Sequence, residues 1–365
     1  MPMLKSSLLF EEQFSDSSNR INWVNIQDKF FSIDAWNNRK DRTSFTFIDL
    51  FTGAGGLSCG LCMAGFNPIA SIEIMPEAVD TYKYNFTAKG FNTNDVKTRD
   101  IRNNDVKNDL IFQIKGKHIN LIAGGFPCQG FSMAGLREID DPRNSLYKEM
   151  LYIVSQVKPD FVLMENVEGL RTMLNGKIEA KILNDYKNLG YKINVATLNA
   201  ANYAVPQTRK RVIFIGNRIG KENYYPKPFL NESNYKTVKD AIEKFTTIQE
   251  NKAINHIFTK HTDKMVDKMR VLKQGQSLYA NFSDAWKRVY WNKPSNTIKE
   301  NHGGVNVHPL FPRVMTPREL AALQSFPDDF IFKGSKKWQL VQIGNAVPPL
   351  LGKVIGLAIR QSMEE

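Results

Sequence analysis

Hydrophobic and polar positions change rhythm twice along this chain. Up to residue 44, Phe, Ile, Trp and Asn are mixed without a clean period, and residues 1–44 read as an N-terminal extension. From Ser44, short β-rich runs alternate with helix-like stretches. Phe45–Phe51 is expected to be a buried strand, followed by the glycine turn TGAGG and a helical LSCGLCMAG. Pro68–Ile74 predicts a second strand and PEAVDTYKYNF a helix. His118–Ala123 and Asp160–Met164 predict two more strands, with a helical LYKEMLYIVSQV between them, and Arg211–Gly216 a further strand. Strand, turn and helix in repetition point to crossover units in a mostly parallel sheet, and hence to an α/β protein. Beyond about Tyr225 that rhythm stops. The segment from about 236 to 316 is rich in Lys, Asn, Thr and aromatics without a strong period, and reads as a separate polar, basic module. A helix-like TPRELAALQSF follows it, and then QIGNAVPPLLGKVIGLAIR.

A length of 365 residues corresponds to two or three domains at roughly 150 residues each. Hydrophobic content of 42% and charged content of 24% fit a folded globular protein rather than a disordered one. No run approaches about 18 uninterrupted apolar residues, so no transmembrane helix is expected. The opening MPMLKSSLLFEEQFSD carries too short an apolar run, closed by acids, for a secretory signal. Three cysteines, Cys59, Cys62 and Cys128, exclude a disulfide framework and point to a reducing cytoplasm. The five histidines are scattered, with no metal-binding spacing. Lys and Arg outnumber Asp and Glu by 49 to 37, a net charge of +12 that invites a polyanion without specifying which.

Four segments carry candidate chemistry. Asp49-Leu-Phe51-Thr-Gly53-Ala-Gly55-Gly56 lies between an expected strand and helix, where glycines permit a tight turn and free N–H groups can meet a ligand. The next strand ends in Glu73, and an acid there commonly takes ribose hydroxyls in a doubly wound sheet; Asp100 is a weaker third contact at that edge. GGFPCQGFS follows the strand HINLIA and puts Cys128 in a Gly/Pro loop at a strand's carboxyl end, a setting for a nucleophile rather than a core thiol. Glu165 ends the strand DFVLM 37 residues later, one crossover unit away, and is placed to give acid–base help. In Pro206-Gln207-Thr-Arg209-Lys-Arg211 the two arginines share a strand face, suited to gripping an anion or to forming a solvated edge. Cys59 and Cys62 read as core packing, and His256 and His261 as solvated. The cluster Trp286, Tyr290 and Trp291, interleaved with Lys287, Arg288 and Lys293, fits either nucleic-acid stacking or the core of the small module.

Taken together, FIDLFTGAGG, GGFPCQGFS, ENV, PQTRKR, TPRELAALQSFP and QIGNAVPP, in this order, resemble the cytosine-5 DNA methyltransferase family in its compact bacterial form. The resemblance covers the chain from about residue 45 onward, leaving out 1–44 and about 236–295. It implies a Rossmann-like doubly wound mixed sheet of the S-adenosylmethionine-dependent methyltransferase fold, with a smaller target-recognition domain. The catalytic domain would comprise 45–235 completed by 340–365, the recognition domain 236–316, and a hinge segment 317–339. The cofactor, S-adenosylmethionine leaving as S-adenosylhomocysteine, would meet Asp49, Phe51, Gly53, Gly55, Gly56, Glu73, Asp100, Pro127 and Asn345. Phe51 would lie against the adenine, Glu73 on the ribose and Asp100 on the adenine amino group. Cys128, Glu165, Arg209 and Arg211 would form the catalytic set, with Arg209 on the pyrimidine edge. Gln129, Ser132, Arg143, Gln207 and Thr297 would touch DNA.

The implied activity is sequence-specific methylation of C5 in a flipped-out cytosine of double-stranded DNA through a Cys128–C6 adduct. The enzyme would act as a cytoplasmic monomer away from membranes, with a restriction endonuclease as a separate partner. Three rivals are a tRNA cytosine methyltransferase on the same fold, an inactive DNA-binding paralogue and a dinucleotide-dependent oxidoreductase. PCQ with a sizeable recognition module speaks against the first. The retained Cys128 and Glu165 speak against the second, and the missing GxGxxG against the third.

Overall fold

The computed structural model describes residues 20–127, 145–279, 286–300 and 306–365. Its centre is a six-stranded sheet of β2 (Thr46–Leu50), β3 (Asn67–Ile72), β4 (Leu121–Gly124), β5 (Phe161–Val167), β6 (Lys192–Asn199) and β7 (Lys210–Asn217), in the spatial order β3-β2-β4-β5-β7-β6. Strands β3, β2, β4 and β5 run parallel, and β7 lies antiparallel between β5 and β6. The sheet is therefore mixed, as the resemblance implied. Side-chain alternation serves both faces. Phe47, Leu121 and Phe161 belong to one buried cluster, while their neighbours Ile48, Ile122 and Val162 belong to the other.

Helices cover both faces. On the first lie α2 (Gly56–Met63), α3 (Pro76–Ala88), α9 (Pro317–Leu323) and α11 (Pro349–Glu364). The second is covered by α4 (Asn104–Gln113), α5 (Ser145–Val157) and α6 (Lys177–Asn188). The chain leaves β2 toward β3, then returns to place β4 on the other flank of β2. Ligands of open α/β sheets bind at such a switch point, outside the carboxyl ends of the strands. The loops after Leu50 and Gly124, which pair directly across β2 and β4, open there.

The structure departs from the sequence reading in several places. Part of the expected extension is folded in: β1 (Asn22–Val24) pairs in parallel with β8 (Tyr224–Pro226), and α1 (Gln27–Ser32) docks on the core. Ile26, Phe30 and Trp36 are buried there, and Lys353 of α11 donates to the Phe30 carbonyl at 2.8 Å. QIGNAVPPLLGKVIGLAIR is two helices, α10 (Lys336–Asn345) and α11, because Pro348 and Pro349 break the run. This part of the chain is apolar enough to cross a membrane, but 83% of its most apolar window is buried in the protein. β6 and α6 complete the sheet although no strand or helix was expected there.

The module between 236 and 316 contains α7 (Val238–Ile242) and α8 (Asp263–Val271) among irregular chain. Its apolar residues Val238, Ile242, Val289 and Ile298 join the first face of the catalytic domain rather than a separate core. Buried polar groups hold the rest. Arg288 donates to the carbonyls of His308 at 2.6 Å and Pro309 at 3.1 Å, and to that of Met269. His256, expected in solvent, is fully buried and bonds Thr316 Oγ1 at 3.0 Å; His261 is half-buried, its Nε2 accepting from the Val314 amide at 3.4 Å. Cys59 and Cys62 are buried in the core, as expected, and burial pushes both thiols well up.

Candidate active site

The turn after β2 is shaped by left-handed backbone. Phe51 has φ 62°, Gly53 φ 56° and Gly55 φ 89°, and α2 starts at Gly56. A Cβ on Gly55 would lie 2.8 Å from the rings of Tyr82 and Phe86, and one on Gly56 would collide with the Val347 carbonyl. These two glycines, expected at the cofactor, face protein and let α2 pack closely. Gly53 differs: a Cβ there would meet nothing within 4 Å, leaving an open cradle above the turn. Its N–H donates to Glu73 Oε2 at 2.7 Å, while Glu73 Oε1 accepts from the amides of Ile74 and Met75 at 2.9 and 2.8 Å. Glu73 is thereby fixed at the edge of the cradle.

Asp49 is corrected from a cofactor contact to a buried residue beneath the turn. Ser58 Oγ donates to its Oδ2 at 2.5 Å, and burial pushes its carboxyl up to about 7, with the Ser58 bond opposing and Glu73 adding to the rise. Asp100 lies at the edge where Thr98 bridges Glu73, and its carboxylate accepts from Arg102 Nε at 3.0 Å and Nη2 at 2.6 Å. The Arg102 hydrogen bonds hold the Asp100 carboxyl below its ordinary value. Pro127 and Asn345 are both exposed. The turn carrying Asn345 abuts α2, since the Ala346 side chain and Val347 carbonyl close over Gly56.

The root of the cysteine loop is tied to the strand bearing Glu165. Asn166 Nδ2 donates to the Phe126 carbonyl at 2.9 Å. A Cβ on Gly125 would lie 3.1 Å from Glu165 Oε2, so this glycine lets the loop pass close over the carboxylate. Arg211 Nε meets Glu165 Oε1 at 2.8 Å, both side chains being mostly shielded from solvent. Cys128, Gln129, Ser132 and Arg143 lie outside the described residues.

Arg209 and Gln207 go elsewhere than expected. Arg209 is buried and donates to the carbonyls of Ile298 at 2.9 Å, Gly344 at 3.2 Å and Ala346 at 3.0 Å. Burial lowers its pKa to about 9, with Arg211 lowering it further and Glu165 opposing. It clamps two stretches of backbone, around Ile298 and from Gly344 to Ala346, and its guanidinium is spent on protein carbonyls. Gln207, expected on DNA, is fully buried: its Nε2 donates to Gln324 Oε1 at 2.9 Å and its Oε1 accepts from the Ile298 amide at 2.9 Å. Thr297 donates to the Thr208 carbonyl at 2.9 Å and lines a cleft of about 450 Å³ with Thr208, Lys287 and Tyr290. The aromatic cluster divides: Trp291 packs against the core while Tyr290 remains 42% exposed.

Sequence reasoning missed Ser58, Gln324 and the bidentate pair of Arg313 with buried Glu319 at 2.9 and 2.7 Å. Only the last had a local signal. Thr316-Pro-Arg-Glu319 is a capping-box pattern, and both reciprocal bonds form at the start of α9.

Fold and site together define an α/β enzyme acting across the carboxyl ends of β2, β4 and β5. A family model, C-5 cytosine-specific DNA methylase, matches residues 45–361. The chain is 42% identical over 331 residues to the Type II methyltransferase M1.HphI of Haemophilus parahaemolyticus, covering 87% of each. It is 35% identical to the Type II methyltransferase M.DdeI of Desulfomicrobium norvegicum, covering 84% of this chain and 86% of that one. Among solved structures, a candidate DNA modification methyltransferase from an Escherichia coli prophage aligns with a TM-score of 0.73 at 27% identity, over 88% of this chain and all of that one. The chain belongs to the C-5 cytosine-specific DNA methylase family, and is a DNA (cytosine-5-)-methyltransferase.

Proposed function

We propose that the protein is a Type II, sequence-specific methyltransferase that marks a flipped-out cytosine through a covalent Cys128 adduct. The observation that carries this reading is the Asn166–Phe126 bond, which pins the root of the Cys128 loop to the strand bearing Glu165. A nucleophile two residues beyond Phe126 is then within reach of a ring held by Glu165. The open cradle at Gly53, edged by Glu73, fits S-adenosylmethionine, with Phe51, Asp100, Pro127 and Asn345 as further contacts.

Cytosine C5 is a weak nucleophile and needs activation. The Cys128 thiolate adds to C6, which makes C4–C5–C6 an enamine. Glu165, bringing a proton on its other oxygen, bonds N3 and takes up the charge that develops on the ring. Arg211 orients Glu165 from the other oxygen. S-adenosylmethionine, when bound, supplies an electrophilic methyl group. Loss of the C5 proton then restores the ring and expels Cys128. A base stacked in a duplex cannot be approached on its faces, so the target must leave the stack. Gln129, Ser132 and Arg143 of the cysteine loop, together with Thr297, would contact the DNA around it.

The protein would act as a cytoplasmic monomer on double-stranded DNA, protecting sites that a separate endonuclease cuts. Methyl transfer from labelled S-adenosylmethionine to duplex DNA, tRNA and no nucleic acid tests the reading. Wild type should label the duplex alone. Cys128→Ser should abolish labelling while leaving cofactor and DNA binding nearly intact, because a serine hydroxyl stays protonated. Substantial turnover by the serine variant would end the covalent mechanism.

A further inference from the structure

The cleft of about 450 Å³ beside Thr208 is built from two sources. One wall is the stretch entering β7, and the other is the module between 236 and 316, which contributes Lys287, Tyr290 and Asn296, with Thr297 and Lys299 at its end. The walls are held in register by backbone. Gln207 bridges Ser295, with the Thr208 amide donating to the Ser295 carbonyl at 2.9 Å and the Ser295 amide to the Pro206 carbonyl at 3.0 Å. The cleft therefore keeps a fixed distance from the catalytic strand. Thr208 precedes Arg211 by three residues, and extended chain of that length spans about 10 Å at most. An object in this cleft lies near a cytosine held at Glu165.

Tyr290 is the aromatic group on this wall, and it is held in place. Lys293 Nζ sits 4.8 Å from its ring centroid. Its hydroxyl occupies space that a Cβ on Gly275 would take, and Gly275 has φ 86°, a conformation suited to glycine. The chain is tied down on both sides of Tyr290: the Val289 amide donates to the Val307 carbonyl at 3.3 Å, and the Trp291 amide to Gln274 Oε1 at 3.0 Å. A large side chain left 42% exposed while its backbone is fixed is preorganised to meet something from outside. Lysine ammonium and threonine hydroxyl suit phosphate, whereas the ring, lacking charge, suits a base edge.

Resting on the reading of this enzyme as sequence-specific on DNA, we propose that the cleft takes the strand flanking the target cytosine, with Lys287 on a phosphate and Tyr290 against a base edge. Tyr290 is then a specificity-determining residue. It fixes the preference at one position flanking the modified cytosine.

The test uses the full chain on a pool of duplexes randomised on both sides of a cytosine, with methylated positions read by bisulfite sequencing. Wild type defines the recognised sequence; a wild type that methylates no duplex would instead overturn the reading on which this rests. Tyr290→Ala should reduce discrimination about 5- to 100-fold at a single flanking position, while the other positions keep theirs. Tyr290→Phe keeps the ring between Gly275 and Lys293. Broadening in Ala alone assigns the reading to the ring, and broadening in both assigns it to the hydroxyl. Should alanine unfold the segment, Tyr290→Leu preserves apolar bulk and carries the same expectation. Lys287→Ala should weaken DNA binding equally on all sequences and lower the salt slope of affinity by about one. Unchanged preference at every position in the folded Tyr290 variants, or an unchanged salt slope in Lys287→Ala, would overturn the assignment.

Discussion

Among the described residues, Glu165 pairs with Arg211, whose Nε lies 2.8 Å from Oε1, while Oε2 faces Gly125 at the root of the cysteine loop. On the proposed mechanism one oxygen serves positioning and the other chemistry. Glu165→Gln should therefore lower the single-turnover rate on saturated complex by about 10²- to 10⁴-fold while DNA affinity stays within a few-fold. An unchanged rate with much weaker binding would make Glu165 a docking residue. Asp49 supports a prediction of another kind. Its carboxyl is raised by burial from 3.8 to about 7, so the folded protein keeps a proton that the unfolded chain releases. The stability this contributes is complete below about pH 4 and is lost as pH rises toward 7, at most about 4 kcal/mol. Asp49→Asn stays neutral and should flatten this part of the profile. Urea unfolding of both proteins at pH 4.5 and pH 8 checks it; a wild-type-to-variant difference that ignores pH would refute it. The place of Glu165 at the end of a strand was legible in the sequence. Gln207 and Arg209 were not, because alternation gives a face and not a partner. The partners of Arg209 lie 89, 135 and 137 residues away, a separation that no local pattern records.

Between elements, the tightest approach is α2 against α11. A Cβ on Gly60 would collide with the Pro349 carbonyl, and Gly352 and Gly356 face α2 from the other side. Gly60→Ala should destabilise the protein by about 1–3 kcal/mol, because backbone has little room to yield. The urea midpoint measures this, and a loss under about 0.5 kcal/mol would show that the crossing can relax. The family resemblance implied that the C-terminal helix packs back onto the first, and it does; pattern alone gave α2 as a helix but not this crossing, since all eight of its residues are buried and no polar face marks its orientation. The strands read as short apolar runs were found. β6 escaped because its sequence KINVATLN places Asn194 inside, where Asn223 Nδ2 donates to it at 2.9 Å and cancels the cost of burying an amide. That a strand runs antiparallel between two others is a long-range fact, invisible to a rhythm of strand and helix.

At the scale of the whole molecule, the proposed mechanism requires information about flanking bases to come from outside the catalytic motifs, which would meet every flipped cytosine alike. Exchanging residues 236–316 for the counterpart in a relative with another target should change which cytosines are methylated and leave cofactor affinity as it was. Bisulfite sequencing of the products decides, and an active chimera that still marks the original site would put specificity in the catalytic domain or the N-terminal segment. The graft must preserve Val238, Val289 and Ile298, because the module shares its apolar interior with the catalytic domain. The change of composition near residue 236 was legible in the sequence, but this shared interior was not. The packing of α11 onto α2 also sets a timetable for biosynthesis. The two helices are about 286 residues apart, which a ribosome adding about 5–20 residues per second covers in roughly 15–60 s. Throughout that interval the glycine face of α2 has no partner, and the turn bearing Asn345 has not yet been made. The growing polypeptide thus cannot form the whole of the proposed cofactor face until translation has passed α11, and fragments from interrupted synthesis would be released without one.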